Sequence, residues 1–243
     1  MKTLKPAAKK FPAKKASAKA DRNLVRRQLN FFFVVDCSGS MTGDKMASLN
    51  YAIRSAIPAM RTAATDNADN DVLLRVISFS DSAHWMADSA VPVADFNWHD
   101  LAASGESAMG QSFEMLAKVL TPKKLPGRQI PPVIVLLSDG LPTDDVDAGL
   151  AALNAAEYGK MAVRIAIAIG SDADMLTLQS FIGQTGIKPL QANNAETLVN
   201  RIRWATSAPV KAASLPASGS TKPLQQIADS VVGEHNDGGE LVW

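Results

Sequence analysis

The chain has 243 residues, of which 47% are hydrophobic and 20% are charged, which is enough for one domain with a sizeable core. The single cysteine, Cys37, excludes an intramolecular disulfide and a structural zinc ribbon. No apolar stretch approaches the roughly 20 residues of a membrane span, and no secretory signal is recognisable. We therefore expect a cytoplasmic protein that does not contact membranes.

Charge is distributed unevenly along the chain. The first 20 residues contain seven lysines and no acidic residue. Because the whole chain has a net charge of +1, residues 21–243 carry a net charge of −6. This composition predicts a disordered basic tail over residues 1–27. The tail is either an arm that binds nucleic acid or an acidic protein, or only a solubilising segment.

The folded domain is expected at residues 28–206. Short apolar runs at residues 31–35, 72–79, 133–137 and 163–169, with a weaker one at 187–191, predict strands that are buried on both faces. Segments of helical period lie between them, at residues 45–63, 107–120, 146–158, 173–182 and 195–204. This alternation predicts an α/β fold with three layers, in which helices cover both faces of a doubly wound, mostly parallel sheet.

Several local features refine this prediction. Pro58 is expected to kink or shorten the first helix, and the more polar run 84–93, which contains Pro92, suits an antiparallel edge strand. Asp144 and Asp145 precede a helical segment and are interpreted as helix-capping acids. Residues 207–243 are rich in Ser, Pro and Ala and are expected to form a tail with at most one short helix, at 224–232.

Polar residues follow two of the predicted strands. Asp36, Ser38 and Ser40 form an Asp-x-Ser-x-Ser turn after the first strand, and Asp139 follows the strand at 133–137. Ser107 stands between them, at the start of a helical segment. In open α/β sheets ligands bind at the carboxyl ends of the strands, and these two carboxylates and three hydroxyls are hard oxygen ligands. The set predicts a site for Mg²⁺ or Mn²⁺ rather than zinc or copper, with Cys37 pointing away from it.

These five residues resemble the metal-ion-dependent adhesion site of von Willebrand A domains. The resemblance implies that Ser38, Ser40 and Ser107 coordinate the metal, while Asp36 and Asp139 act directly or through water. The sequence departs from the family pattern at Ser107, where the family has threonine.

More narrowly, the chain is similar to bacterial von Willebrand A proteins associated with tellurite resistance. The similarity rests on the Ser-Asp-Gly-x-Pro-Thr-Asp loop at 138–144 and on the sequence Arg-Trp-Ala-Thr-Ser at 203–207. It implies a cytoplasmic scaffold in a stress-response or phage-defence system, with partners that resemble protein kinases and phosphatases.

The expected function is metal-dependent binding of a partner protein, which supplies an Asp or Glu side chain to the ion, and not catalysis. One alternative is a metal-dependent phosphohydrolase with Asp36 as nucleophile, although Ser38 stands where such enzymes have a second carboxylate. Another alternative is a regulatory subunit that docks on an ATPase complex. The motifs of serine hydrolases and dinucleotide-binding enzymes are missing.

Overall fold

A computed structural model describes residues 26–66, 70–183 and 188–213. Nearly all of the predicted basic tail, the predicted helix at 224–232 and most of the Ser/Pro/Ala-rich segment lie outside the described residues. Within the described ranges, every helix is too short or too polar to cross a bilayer.

A seven-stranded sheet organises the chain. Its strands are β1 (Arg27–Asp36), β2 (Asn70–Phe79), β3 (Ala83–Trp85), β4 (Val91–Pro92), β5 (Val133–Ser138), β6 (Val163–Ile169) and β7 (Leu190–Ala192). The order is β3-β2-β1-β5-β6-β7, and β4 also pairs with β2. The strands β2, β1, β5, β6 and β7 are parallel, while β3 and β4 run antiparallel along the outer edge of β2. The carboxyl ends of the central strands β1 and β5 therefore lie side by side.

The central strand β1 explains why helices cover both faces. Phe31, Phe33 and Val35 point into one hydrophobic core, whereas Phe32 and Val34 point into the other. The α-helices that the structure describes are α1 (Asp44–Thr65), α2 (Met109–Val119), α3 (Val146–Ala155), α4 (Glu157–Met161), α5 (Met175–Ile182) and α6 (Ala195–Ala213). Buried residues of α1 and α6 fill the first core, and those of α2, α3 and α5 fill the second. The three-layer, mostly parallel α/β fold is confirmed.

The sequence predicts that Pro58 kinks or shortens the first helix, but the helix is not shortened. Helix α1 continues from Asp44 to Thr65 through this residue. Pro58 is exposed, while Ile57 and Met60 beside it are buried. The carbonyl that loses its hydrogen bond to the proline therefore faces water, where solvent can satisfy it.

Two further predicted elements are interrupted. The edge strand expected at 84–93 consists of two short strands, β3 and β4, separated by residues 86–90. The helix expected at 146–158 ends at Ala155, because Ala156 adopts an extended conformation before α4 begins. This break allows the Gly159 carbonyl to accept a hydrogen bond from buried Arg164 at 3.0 Å. Packing contacts in the folded protein, rather than the helical period of the sequence, thus determine where this helix ends.

The last helix continues past the boundary expected at residue 206. Ala208, Pro209 and Val210 are buried, and Val210 belongs to the first hydrophobic core. The carbonyl of Ala213 accepts hydrogen bonds from Arg27 at 3.3 Å and from Asn70 at 3.0 Å. The end of α6 is therefore fixed against the first two strands.

We expect a chain that ends after Thr206 to be less stable than one that ends after Ala213, by about 2–4 kcal/mol. The shorter chain loses the buried side chains of the last helical turns and leaves a hydrophobic gap beside β1. Urea denaturation of the two truncated proteins measures the difference. Coincident unfolding midpoints would show that the last turns of α6 add nothing to the fold.

Candidate metal centre

Three loops meet at the carboxyl ends of β1 and β5. The first follows β1 and contains a short 3-10 turn, Gly39–Met41. The second precedes α2 and is joined to the first by hydrogen bonds from Gly39 N to Gly105 O and from Ser104 N to Cys37 O, at 2.9 and 2.8 Å. The third follows β5 and is joined to the second through Ser107 and Thr143, which exchange two hydrogen bonds. Backbone contacts thus hold the loops together independently of any ligand.

Asp36 lies at the bottom of this loop cluster and is fully buried. Its Oδ1 accepts a hydrogen bond from the backbone N–H of Ser38 at 2.8 Å. Its Oδ2 accepts from the Ser138 hydroxyl at 2.6 Å and lies 3.5 Å from the Ser107 hydroxyl. The carboxylate therefore has a fixed orientation in a place that water does not reach.

The two serines of the first loop connect Asp36 to the loop after β5. The hydroxyl oxygens of Ser38 and Ser40 are 3.0 Å apart, and the Ser40 hydroxyl donates to Oδ1 of Asp139 at 2.8 Å. Ser38 and Asp139 are buried, whereas Ser40 is exposed at the mouth. The structure thus brings all five residues predicted from the sequence into one hydrogen-bonded cluster that is open on one side.

Ser138 is a member of this cluster that the sequence interpretation missed. It is fully buried and its oxygen also accepts a hydrogen bond from Gly140 N at 3.0 Å. The alternation of side chains along the two neighbouring strands gives a signal for Ser138. In the parallel register Val34 lies beside Leu136, so that Asp36 and Ser138 follow on the same face two residues later.

Lys45 is the second residue that the sequence interpretation missed. Its Nζ lies 2.8 Å from Oδ2 of Asp139 and 3.3 Å from Oδ1 of Asp172. The side chain comes from the first turn of α1, and nothing in the local sequence indicates that it reaches across to the loops after β5 and β6. Burial acts to lower the pKa of Lys45, but the hydrogen bond and charge of Asp139, together with Asp172, outweigh it and raise the pKa.

Burial dominates the electrostatics of the deeper side chains. Desolvation raises the pKa of Asp36 and the charge of Asp139 adds to this effect, although hydrogen bonds from Ser138 and Ser38 oppose it. Burial also raises the pKa of the Cys37 thiol to about 12. Cys37 packs in the first hydrophobic core and stays protonated, as expected for a residue that supplies no ligand.

The two acids after the β5 loop cap two different helices. Asp145 accepts a hydrogen bond from Ala148 N at 2.9 Å and caps α3, as the sequence predicted. Asp144 instead accepts from Gly110 N and Gln111 N, both at 2.8 Å, and caps α2. This contact fixes the start of α2, and with it Ser107, against the loop that carries Asp139.

The donor set of the cluster fits a hard divalent cation. It consists of the carboxylates of Asp36 and Asp139 and the hydroxyls of Ser38, Ser40 and Ser107, and hydroxyl groups rotate readily to turn a lone pair toward an ion. Across the residues that the structure describes, no cluster of three or more His, Cys, Asp or Glu side chains forms a metal site. Two buried carboxylates that lie close together repel each other, and a nearby dication would offset this repulsion. The residues therefore fit Mg²⁺ or Mn²⁺ better than a thiophilic metal.

The pKa of Asp36 predicts a pH dependence of stability in EDTA. Because the folded-state pKa lies above the unfolded value, the stability contributed by this carboxyl group is complete below the unfolded pKa and is lost as pH rises through the folded pKa. Asn at this position does not titrate. We therefore expect the melting temperature of Asp36→Asn, measured relative to the native protein, to rise between pH 4 and pH 7. A difference that is constant or falls over this range would contradict the raised pKa.

The sequence and the fold are similar to known proteins. Residues 31–141 match the model of the von Willebrand factor type A domain. Inter-alpha-trypsin inhibitor heavy chain H6 from Homo sapiens is 29% identical over 175 residues, which cover 66% of this chain and 13% of that protein. This chain therefore spans only a small part of that relative.

Solved structures share the fold at lower sequence identity. A von Willebrand factor type A protein from Catenulispora acidiphila matches with a TM-score of 0.59 and 16% identity, over 76% of this chain and 43% of that one. The pilus adhesin SpaC from Lactobacillus rhamnosus GG matches with a TM-score of 0.60 and 13% identity, over 76% of this chain and 31% of that one. Residues 31–141 are thus similar to a von Willebrand factor type A domain, and the solved structures share the fold of this chain.

Proposed function

We propose that this domain is a protein-interaction module that binds Mg²⁺, or Mn²⁺, and presents the ion to a carboxylate of a partner protein. The observation that carries the proposal is the hydrogen-bonded cluster of Asp36, Ser38, Ser40, Ser107 and Asp139. Domains of this type are commonly interaction or adhesion modules, and one structural relative is a pilus adhesin.

The chemistry of the ligands supports the choice of partner. Three of the five proposed ligands are neutral hydroxyls, so the protein supplies few negative charges to a dication. An ion held in this way retains positive charge and an affinity for a further anionic oxygen. The cluster is closed at the bottom by Asp36 and Ser138 and opens to solvent at Ser40. A partner's Asp or Glu is the side chain that fits such a position.

A phosphohydrolase is a less favoured function. Asp36, the candidate nucleophile, is fully buried, and both of its oxygens already accept hydrogen bonds. A nucleophile must reach the phosphorus atom, which this environment hinders. Hydrolysis of p-nitrophenyl phosphate that requires Mg²⁺ and is lost in Asp36→Asn would favour the enzyme.

The cellular setting is a finer part of the proposal and rests on the resemblance of the 138–144 loop and the 203–207 sequence to tellurite-resistance-associated proteins. We place the protein in the cytoplasm, in a bacterial stress-response or phage-defence system with partners that resemble kinases and phosphatases. Docking on an ATPase complex is the alternative within the same class of function. The Lys-rich residues 1–27 would add an electrostatic contact to nucleic acid or an acidic protein.

The proposal is tested by affinity capture from the cells that produce the protein, with MgCl₂ or EDTA in otherwise identical buffers. A partner is expected to bind in Mg²⁺, to elute with EDTA and to be absent from Asp36→Asn. Asp95→Asn makes the same chemical change at an exposed position on the loop after β4 and is expected to bind normally. A partner that binds equally in EDTA and to Asp36→Asn would show that the interaction does not use this site.

A further inference from the structure

Lys45 is built into the candidate metal centre by contacts with the loops after β5 and β6. Its side chain is only 13% exposed, although it belongs to the first turn of α1. The ammonium group pairs with Asp139 after β5 and with Asp172 after β6. Gly170, with φ +90°, lies along the stem, where a Cβ would come within 3.1 Å of Lys45 Cε. The lysine therefore occupies a defined place rather than a solvated surface.

Both oxygens of Asp139 accept hydrogen bonds, and Lys45 supplies one of them. Oδ1 accepts from Ser40 inside the cluster, and Oδ2 accepts from Lys45 Nζ at 2.8 Å. The side chain of Asp139 is 1% exposed, so little water competes for either oxygen. Lys45 thus orients the carboxylate and also neutralises its charge, whereas the Asp172 side chain is 71% exposed and contributes a screened charge at the rim.

We infer that Lys45 is a counter-cation that competes with the divalent ion for the charge of Asp139. On this basis it lowers the affinity of the site for the ion and leaves the bound ion with more positive charge for a partner carboxylate. The two carboxylates of the cluster and the ammonium group sum to one negative charge, so a bound dication gives a loaded site with a net charge of +1. This inference rests on the proposed function, because it concerns the same metal site.

A different role for Lys45 gives the opposite result. If the lysine served only to brace α1 against the loops after β5 and β6, its removal would release Asp139 from its position and weaken metal binding. If it acts as a competing cation, its removal strengthens metal binding even though the metal-free domain becomes less stable. The sign of the change in affinity separates the two roles.

Calorimetric titration of the full chain with MgCl₂ at fixed ionic strength measures this sign. We expect Lys45→Met, which keeps the unbranched stem but lacks the ammonium group, to bind Mg²⁺ roughly tenfold more tightly than the native protein, because a positive charge next to the ion is gone. Lys45→Arg keeps the charge and is expected to bind like the native protein. Lys118→Met makes the same charge change at an exposed residue near the end of α2 and is expected to leave the affinity unchanged.

Each outcome of the titration has a distinct meaning. Unchanged or weaker binding by a folded Lys45→Met, with normal binding by the native protein, overturns the role of Lys45 and leaves the proposed function intact. Absence of Mg²⁺ binding by the native protein contradicts the proposed function itself. Lys45→Gln is a second uncharged variant, for use if Lys45→Met does not fold, and circular dichroism in EDTA establishes folding for each. Tighter binding by Lys118→Met as well would assign the effect to net charge instead of Lys45.

Discussion

We expect that Mg²⁺ stabilises this domain and that replacing Asp36 with asparagine abolishes this stabilisation. The carboxylate of Asp36 is the most deeply buried of the five proposed ligands. It receives hydrogen bonds that fix its orientation, so that no other side chain can take its place. At a concentration 100 times its dissociation constant, an ion that binds only the folded state contributes about 2.7 kcal/mol. We expect this increment in the native protein and none in Asp36→Asn.

Thermal melts with and without MgCl₂ measure the increment, and two serine variants provide the comparison. Ser107→Ala removes a neutral oxygen that lies 3.5 Å from Asp36, and we expect it to reduce the increment without abolishing it. Ser112→Ala removes a buried hydroxyl on α2 that donates to Met109 O, and we expect the full increment. Undiminished stabilisation of Asp36→Asn by Mg²⁺ would place the ion elsewhere.

We expect replacement of Gly149 with alanine to destabilise the domain by a net of about 1–2 kcal/mol, because overpacking costs about 1–3 kcal/mol. Helices α2 and α3 cross with their backbones in contact, and a Cβ on Gly149 would lie 2.4 Å from the carbonyl oxygen of Gly110. Backbone atoms cannot rotate away, so one helix has to move. The roughly 1 kcal/mol by which alanine favours a helix over glycine offsets only part of this cost.

Urea denaturation in EDTA measures the effect of Gly149→Ala. Ala151→Gly, at an exposed position of the same helix, isolates helix propensity and is expected to cost about 1 kcal/mol. Because Gly110 follows Ser107 closely in the chain, the movement of α2 is also expected to weaken Mg²⁺ binding in Gly149→Ala. A variant as stable as the native protein would show that the two helices do not need to approach so closely.

The parts of the fold that follow from local patterns could be predicted from the sequence. Strand β6, Val163–Ile169, has the predicted bounds, because a run that is apolar on both faces suits only the centre of a covered sheet. Asp36, Ser38, Ser40 and Asp139 follow from the rule that loops at the carboxyl ends of neighbouring parallel strands meet, whereas the role of Ser107, which precedes α2, follows from the resemblance to the adhesion site. Their proximity is now a structural observation, whereas the binding of an ion remains a prediction.

Features that depend on contacts between distant segments could not be predicted in the same way. Lys45 belongs to α1 by sequence but pairs with the loops after β5 and β6, and Asp144 caps α2 rather than the helix that follows it. The length of α6 depends on hydrogen bonds from Arg27 and Asn70 to Ala213. In each case the partner lies far away in the chain, so a local pattern carries no information about it.

X-ray diffraction from crystals grown with MnCl₂, measured for the anomalous signal of manganese, tests the central claim most directly. Manganese is the suitable probe because it takes the oxygen ligands that Mg²⁺ takes and scatters anomalously. We expect one strong peak among the oxygens of Asp36, Ser38, Ser40, Ser107 and Asp139 in the native protein, and its loss in Asp36→Asn. A well-ordered cluster without a peak, at a Mn²⁺ concentration that saturates binding in solution, would contradict the assignment of these residues as the metal site.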